Sequence, residues 1–289
     1  MTPTPLSCIE VDGREFFIKR DELYDTYLSG NKFRKLQKLI DTPKEQYRRI
    51  ISYGGSQSNA MLSIAALAKA KGWEYIYYTK RLSSYQRENP NGNYKYALAL
   101  GMQHKEIAHE LYEEFIASLT LTLDDTTVVV HQGGADVMAA YGLEKLATEL
   151  REQLDGSGVN ALATPSGTGT TALFLAKAMP EYRVYTTPSV GSSSYLEQQM
   201  CALGEIPKNL TILEPPKKYH FAKPYLEFYQ LYKKLLSEGG IEFDLLYAPL
   251  LWQELLAQTT QNICYIHSGG LIGNESMLPR YEKLLNKSL

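Results

Sequence analysis

The chain has 289 residues, of which 44% are hydrophobic and 21% charged, with a formal net charge of −2. That mix belongs to a globular chain long enough to bury a core, sized for about two domains or one large α/β domain. The near-zero net charge argues against a nucleic-acid surface, and no apolar run reaches the roughly 18 residues that a membrane helix needs.

Residues 15–20 read as the first strand, on Phe16, Phe17 and Ile18. Asn31 reads as the N-cap of a helix in which Phe33, Leu36, Leu39 and Ile40 recur at helical spacing, and Pro43 stops it. Residues 49–53 form a short buried strand. After the turn Gly54-Gly55-Ser56-Gln57-Ser58-Asn59 comes an Ala-rich helix, ending near Gly72, and residues 73–79 are the next strand. Strand, helix and strand in this order make a βαβ unit, with parallel strands and a right-handed crossover.

Residues 94–100 form a helix ending at Gly101, and residues 107–121 a second. The strand 128–130 leads into Gln132-Gly133-Gly134, and an amphipathic helix covers 141–154. The strand 160–164 runs into Ser166-Gly167-Thr168-Gly169-Thr170, then a helix over 170–179 that Pro180 stops. A strand at 182–186, a helix at 225–237 and a strand at 262–267, ending in Ser268-Gly269-Gly270, complete the pattern. Strands alternating with helices indicate α/β architecture with mainly parallel sheets.

The three cysteines, Cys8, Cys201 and Cys264, are far apart and form no CxxC pair. This argues against a disulfide framework and a structural zinc site, and the simplest compartment is the reducing cytoplasm. The beginning, Met1-Thr2-Pro3-Thr4-Pro5, lacks the charged and apolar regions of a signal peptide. The five histidines show no metal-ligand spacing. His131 and His267 sit at strand ends, where each either lines a pocket or serves the packing. The 22 tyrosines are mostly packing residues, of which one or two could be acids or bases in a pocket.

Ligands of open α/β sheets bind beyond the carboxyl ends of strands, and the glycine-containing turns at 54–55, 133–134, 167–169 and 269–270 all fall there. The turn 166–170 combines successive amides, hydroxyls and a helix N-terminus, which favours an anion, although an ordinary capped turn would use the same residues. No lysine follows its last glycine, so it is not a Walker A loop.

Lys32 lies in Ser29-Gly30-Asn31-Lys32-Phe33-Arg34-Lys35-Leu36. In isolation it is a solvated lysine of a basic helix start. At a first helical turn, and still more if buried, its amine would be easier to deprotonate and a better nucleophile. Ser58 and Asn59 begin a helix, so capping alone explains them, but they could also face a substrate carboxylate and a cofactor. An amine, a donor-rich turn and an anion turn together suit pyridoxal 5'-phosphate (PLP), whose aldehyde takes an amine.

These segments, with Lys19-Arg20-Asp21-Glu22-Leu23 and Tyr265-Ile266-His267-Ser268-Gly269-Gly270, run in the order of a known family. The chain resembles the PLP-dependent enzymes of the tryptophan synthase β-like class (fold type II). Within that class it resembles the 1-aminocyclopropane-1-carboxylate (ACC) deaminase and D-cysteine desulfhydrase group. The resemblance implies that Lys32, not Lys35, carries the cofactor, that Asn59 bonds its ring oxygen, and that Ser166, Gly167, Thr168, Gly169 and Thr170 hold its phosphate. It implies that Ser58 contacts the substrate and helps move protons, and that Ser268 sits by the pyridine nitrogen. Tyr247 matches a pocket tyrosine. Tyr219 matches a second, with Tyr225 as the competing position.

The small hydroxyl of Ser268 follows the desulfhydrases, whereas the deaminases carry leucine there. Ala248 replaces a deaminase glutamate or a desulfhydrase threonine, and Ala248-Pro249-Leu250-Leu251 replaces the Gly-Lys pair that follows the pocket tyrosine. The chain is also shorter than most of the group, mainly before Lys19 and around residues 80–125.

The expected architecture is two open, mainly parallel twisted sheets flanked by helices, with the cofactor in the cleft between a large domain (1–34 and 126–289) and a small one (35–125). The expected activity is α,β-elimination on a small amino acid, foremost D-cysteine to pyruvate, hydrogen sulfide and ammonia. ACC deamination and ligand binding without turnover are the alternatives. A homodimer is what the resemblance implies, and no metal, membrane or nucleic acid is expected.

Overall fold

The computed structural model describes residues 2–119 and 123–286. Its strands are β1 (Leu6–Val11), β2 (Arg14–Lys19), β3 (Arg49–Tyr53), β4 (Glu74–Lys80), β5 (Gln103–Ile107), β6 (Thr127–Val130), β7 (Ala161–Ala163), β8 (Arg183–Thr186), β9 (Leu210–Ile212) and β10 (Ile263–Ile266). Its helices are α1 (Gly30–Asp41), α2 (Asn59–Lys71), α3 (Ser84–Glu88), α4 (Gly92–Ala99), α5 (Tyr112–Ser118), α6 (Ala139–Gln153), α7 (Thr170–Ala178), α8 (Ser193–Cys201), α9 (Leu226–Gly239), α10 (Ala248–Gln258) and α11 (Asn274–Leu285).

A six-stranded sheet has the order β1-β2-β10-β7-β8-β9, and a four-stranded sheet the order β5-β4-β3-β6. Every pairing is parallel except β1 with β2. Helices cover both faces of the larger sheet, as a parallel sheet requires. On fully buried β10, Ile263 and Tyr265 join a core with Phe16, Ile18 and Trp252, while Cys264 and Ile266 face Leu146, Leu162 and Leu175. This two-residue alternation is the strand pleat acting on an apolar run. In the smaller sheet Ile50 packs against Met61 and Ile64 of α2, and Ile51 faces the opposite side with Ile76 and Leu119.

The two-sheet α/β expectation matches this architecture, with several corrections. The boundary at residue 125 falls too early, because β6 pairs with β3 in the smaller sheet. The helix expected over 107–121 is instead the end of β5, a 3-10 turn and α5, which is only Tyr112–Ser118; residues 120 and 121 lie outside the described residues. Asn31 is not the N-cap: α1 begins at Gly30, with Ser29 extended before it. The sequence reading missed β1. It forms a hairpin with β2 through Asp12 and Gly13, at φ +52° and +70°, the mirror-image turn that matches strand twist.

Among the described residues, no helix is long and apolar enough to cross a membrane, and no group of three or more His, Cys, Asp or Glu could hold a metal ion. All three cysteines are free.

Candidate active site

The turns after β3, β6, β7 and β10 line one cavity of about 660 Å³, together with α1, α8, α11 and the Phe221–Tyr247 region. Lys32, Ser58, Asn59, Tyr247, Ser268 and all of residues 166–170 line it.

Lys32 is placed by the docking of α1 on the end of β10. Gly30 takes φ +59°, and a Cβ there would lie 2.0 Å from the carbonyl oxygen of Ser268. Next to it, the Asn31 amide donates to that same oxygen at 3.2 Å. The Lys32 Nζ donates to Asn31 Oδ1 at 3.1 Å. Burial pulls the Lys32 amine down to about 8, with the nearby Asp244 carboxylate acting in the opposite sense. Lys35 lines the same cavity, donating from Nζ to the Gly133 carbonyl at 3.0 Å. Burial, and then the charge of Lys32, push its amine well below the ordinary lysine value.

In the turn before α2, Ser58 Oγ accepts from the Met61 amide at 3.4 Å, so Ser58 does cap the helix, and it also lines the cavity. Tyr77 braces the turn, its hydroxyl donating to the Gly55 carbonyl at 3.1 Å. Asn59 Oδ1 accepts from Asn93 Nδ2 at 2.6 Å, which orients its amide plane. Gly270 leaves that amide room, since a Cβ there would come 2.1 Å from Asn59 Nδ2.

The turn after β7 gathers hydroxyls and free amides at the start of α7. Ser166 is tied in by Thr186, whose Oγ1 donates to the Ser166 Oγ at 2.7 Å, and Thr168 Oγ1 lies 2.8 Å from Thr170 Oγ1. The Gly167, Thr168 and Gly169 amides have no backbone acceptor, and α7 begins at Thr170. Orphan amides at a helix start carry partial positive charge toward whatever fills the cavity.

Behind the cavity stands Asp244, three residues before Tyr247. Its Oδ1 accepts from the Leu246 and Tyr247 amides at 3.0 and 2.7 Å, and its Oδ2 from Ser268 Oγ at 3.3 Å. Burial raises its carboxyl above the usual range. Burial first, and then Asp244, push the Tyr247 phenol up, so it keeps its proton at neutral pH.

Tyr219 is not part of this site. Its hydroxyl donates to Glu227 Oε1 at 3.4 Å and to Gln253 Oε1 at 3.3 Å, and its ring packs on Tyr225 and Phe228. Tyr225, the competing position, packs there too and donates no group to the cavity. From this segment it is Phe221 that reaches the cavity, 5.2 Å from the Tyr247 ring between centroids. His131 lines the cavity with Nδ1 2.9 Å from the Tyr53 hydroxyl. His267 is a fully buried packing residue, held by the Glu242 carbonyl at 2.8 Å and the Gly269 amide at 3.0 Å.

Solved structures share this fold. The crystal structure of an ACC deaminase homologue superimposes with a TM-score of 0.77 at 22% identity, covering 98% of this chain and 94% of that one. The chain therefore has the fold of the fold type II PLP enzymes. In sequence it is similar to a provisional ACC deaminase of Thermotoga maritima, at 24% identity over 302 residues, 94% of this chain and 95% of the relative. It is also similar to the D-cysteine desulfhydrase of Serratia proteamaculans, at 26% identity over 291 residues, 89% of this chain and 87% of the relative. No family model matches the chain.

Proposed function

We propose that the protein is a PLP-dependent lyase of the ACC deaminase and D-cysteine desulfhydrase group, catalysing α,β-elimination from a small amino acid, with D-cysteine the first candidate. One observation carries this reading: the half-buried Lys32 amine and the orphan amides of 167–169 face a single cavity. A phosphorylated aldehyde has one group for each.

The residues fit PLP. The amides of 167–169 with the Ser166, Thr168 and Thr170 hydroxyls would hold its phosphate, Lys32 its aldehyde carbon, and Asn59 and Ser268 its ring. When bound, PLP supplies a ring that takes up the electron pair left at the substrate Cα. The protein supplies positioning and proton movement. The donor-rich turn 55–58 suits the substrate carboxylate, which it would fix beside Ser58 Oγ. With an amine held near 8, Lys32 Nζ is poised to exchange a proton with Cα at neutral pH. The protonated Tyr247 hydroxyl can donate to the departing β-substituent.

Ser268 supports the desulfhydrase reading over the deaminase one. Ala248, where the resemblance places a deaminase glutamate, is fully buried at the start of α10 and does not line the cavity. The similarity to the Thermotoga protein keeps ACC deamination as the second reading. The test is product release from PLP-reconstituted protein. Sulfide from D-cysteine and not L-cysteine, abolished in Lys32→Ala, supports the proposal. 2-Oxobutyrate from ACC without any sulfide reverses the order, and no product from either leaves ligand binding without turnover.

A further inference from the structure

Arg280, on the exposed side of α11 one turn beyond Ser276 and Met277, lines the same cavity at its solvent-facing edge. Among the described residues its only bond is from Nη1 to the Ala222 carbonyl, at 3.1 Å. Ala222 is itself in an uncommon backbone state, φ +60° for a residue with a Cβ. Such conformations persist where the surroundings impose them, and they gather at ligand clamps. The preceding residue, Phe221, packs on Tyr247, so the turn that holds the guanidinium is joined to the proposed reacting end of the cavity.

Counting charges sharpens the point. Lys32, Lys35 and Arg280 line the cavity, and no aspartate or glutamate does. On the reading above, Lys32 is committed to the cofactor aldehyde, the 167–169 amides to its phosphate and the 55–58 turn to the substrate α-carboxylate. Lys35 is tied to the Gly133 carbonyl. Arg280 uses one of its five N–H donors and is left without a partner of opposite charge. The cavity, at about 660 Å³, is within the ordinary range of small-ligand sites.

We propose that Arg280 is a specificity-determining residue that receives a second acidic group on the substrate side chain. The preferred substrates are then amino acids bearing a distal carboxylate or phosphate, and a neutral amino acid such as cysteine leaves this arginine unused. The planar guanidinium fork matches either anion through paired hydrogen bonds, which a lysine cannot do. The inference rests on the PLP reading and moves its preferred substrate from D-cysteine to an acidic amino acid.

The test uses PLP-reconstituted protein first shown to carry the cofactor on Lys32, titrated with aspartate, O-phosphoserine and serine, each as both enantiomers, following cofactor absorbance. At least one acidic ligand should bind roughly tenfold or more tightly than serine of the same hand. Which acid wins separates carboxylate from phosphate recognition. Arg280→Gln should weaken the acidic ligands roughly tenfold more than serine, and Arg280→Lys should recover part of that loss. Equal affinities in the native protein overturn the proposal. So does equal weakening of all ligands in Arg280→Gln, the signature of a strap that merely holds Ala222. Failure to load PLP on Lys32 would instead remove the reading of the site itself.

Discussion

Arg34 grips Asp21 along one edge of its guanidinium, Nε to Oδ2 at 2.9 Å and Nη2 to Oδ1 at 2.7 Å, two residues along α1 from Lys32. Glu149 of α6 accepts from Nη1 and Nη2 along the other edge at 2.7 Å, and Lys19 reaches the same carboxylate at 2.9 Å. This buried network fixes the helix that presents the pocket amine to the segment following β2. Removing one partner leaves buried charge uncompensated, so Arg34→Met should cost about 3–5 kcal/mol in urea unfolding. A loss below about 1 kcal/mol would mean that apolar packing alone holds α1.

Gly30 sets how closely α1 approaches β10. Gly30→Ala must push its Cβ away from the Ser268 carbonyl, 2.0 Å distant, besides adopting a left-handed conformation. It should cost at least about 2 kcal/mol and weaken PLP retention, measured by unfolding and by dialysis. Gly72→Ala is the control: its φ is +72° but nothing lies within 4 Å, so only about 1–2 kcal/mol of backbone strain is expected and PLP retention should be kept.

The buried amine should also leave a mark on stability. Between about 8 and the ordinary 10.5 the unfolded chain holds more protons at Lys32 than the folded one, so stability rises with pH across that window. The burial cost is full below about pH 8 and gone above about 10.5. Lys32→Met should therefore stabilise the cofactor-free protein at neutral pH, with the gain shrinking as pH climbs through this range. Urea midpoints across the window check it, and a gain that grows with pH contradicts it.

The two tyrosines proposed from sequence should part company. Tyr247→Phe removes a hydroxyl from the cavity and should lower kcat by about two to four orders of magnitude. Tyr219→Phe, on a hydroxyl shared between Glu227 and Gln253, should leave kcat within about twofold, because its bonds are part-buried and remote from the reaction. Parallel kinetics on the substrate that proves active will decide.

Those tyrosines also mark where the sequence was informative. The cradle 166–170, the Ser58–Asn59 turn and Lys32 were legible because glycine, hydroxyl and amide residues at strand ends are short-range signals. Apolar β3 and β10 were legible for a similar reason: their runs are buried on both faces. Tyr219 was misplaced because nothing local distinguishes it from Phe221, which turns toward Tyr247 instead. Asp244 and Arg280 gain meaning only from partners 24 and 58 residues away, Ser268 and Ala222. The β1 hairpin had a usable signal, Asp12-Gly13 between two apolar runs. Strand β5, QHKEI, has none, since its charged residues suit an edge strand and a surface helix equally.

The most direct measurement is borohydride reduction of the PLP-loaded protein, followed by peptide fragmentation in the mass spectrometer. Lys32 and Lys35 line the same cavity as buried amines, so the fragments must separate them. One pyridoxyl group is expected, on Lys32 alone. A group on Lys35, or none on either, would contradict it.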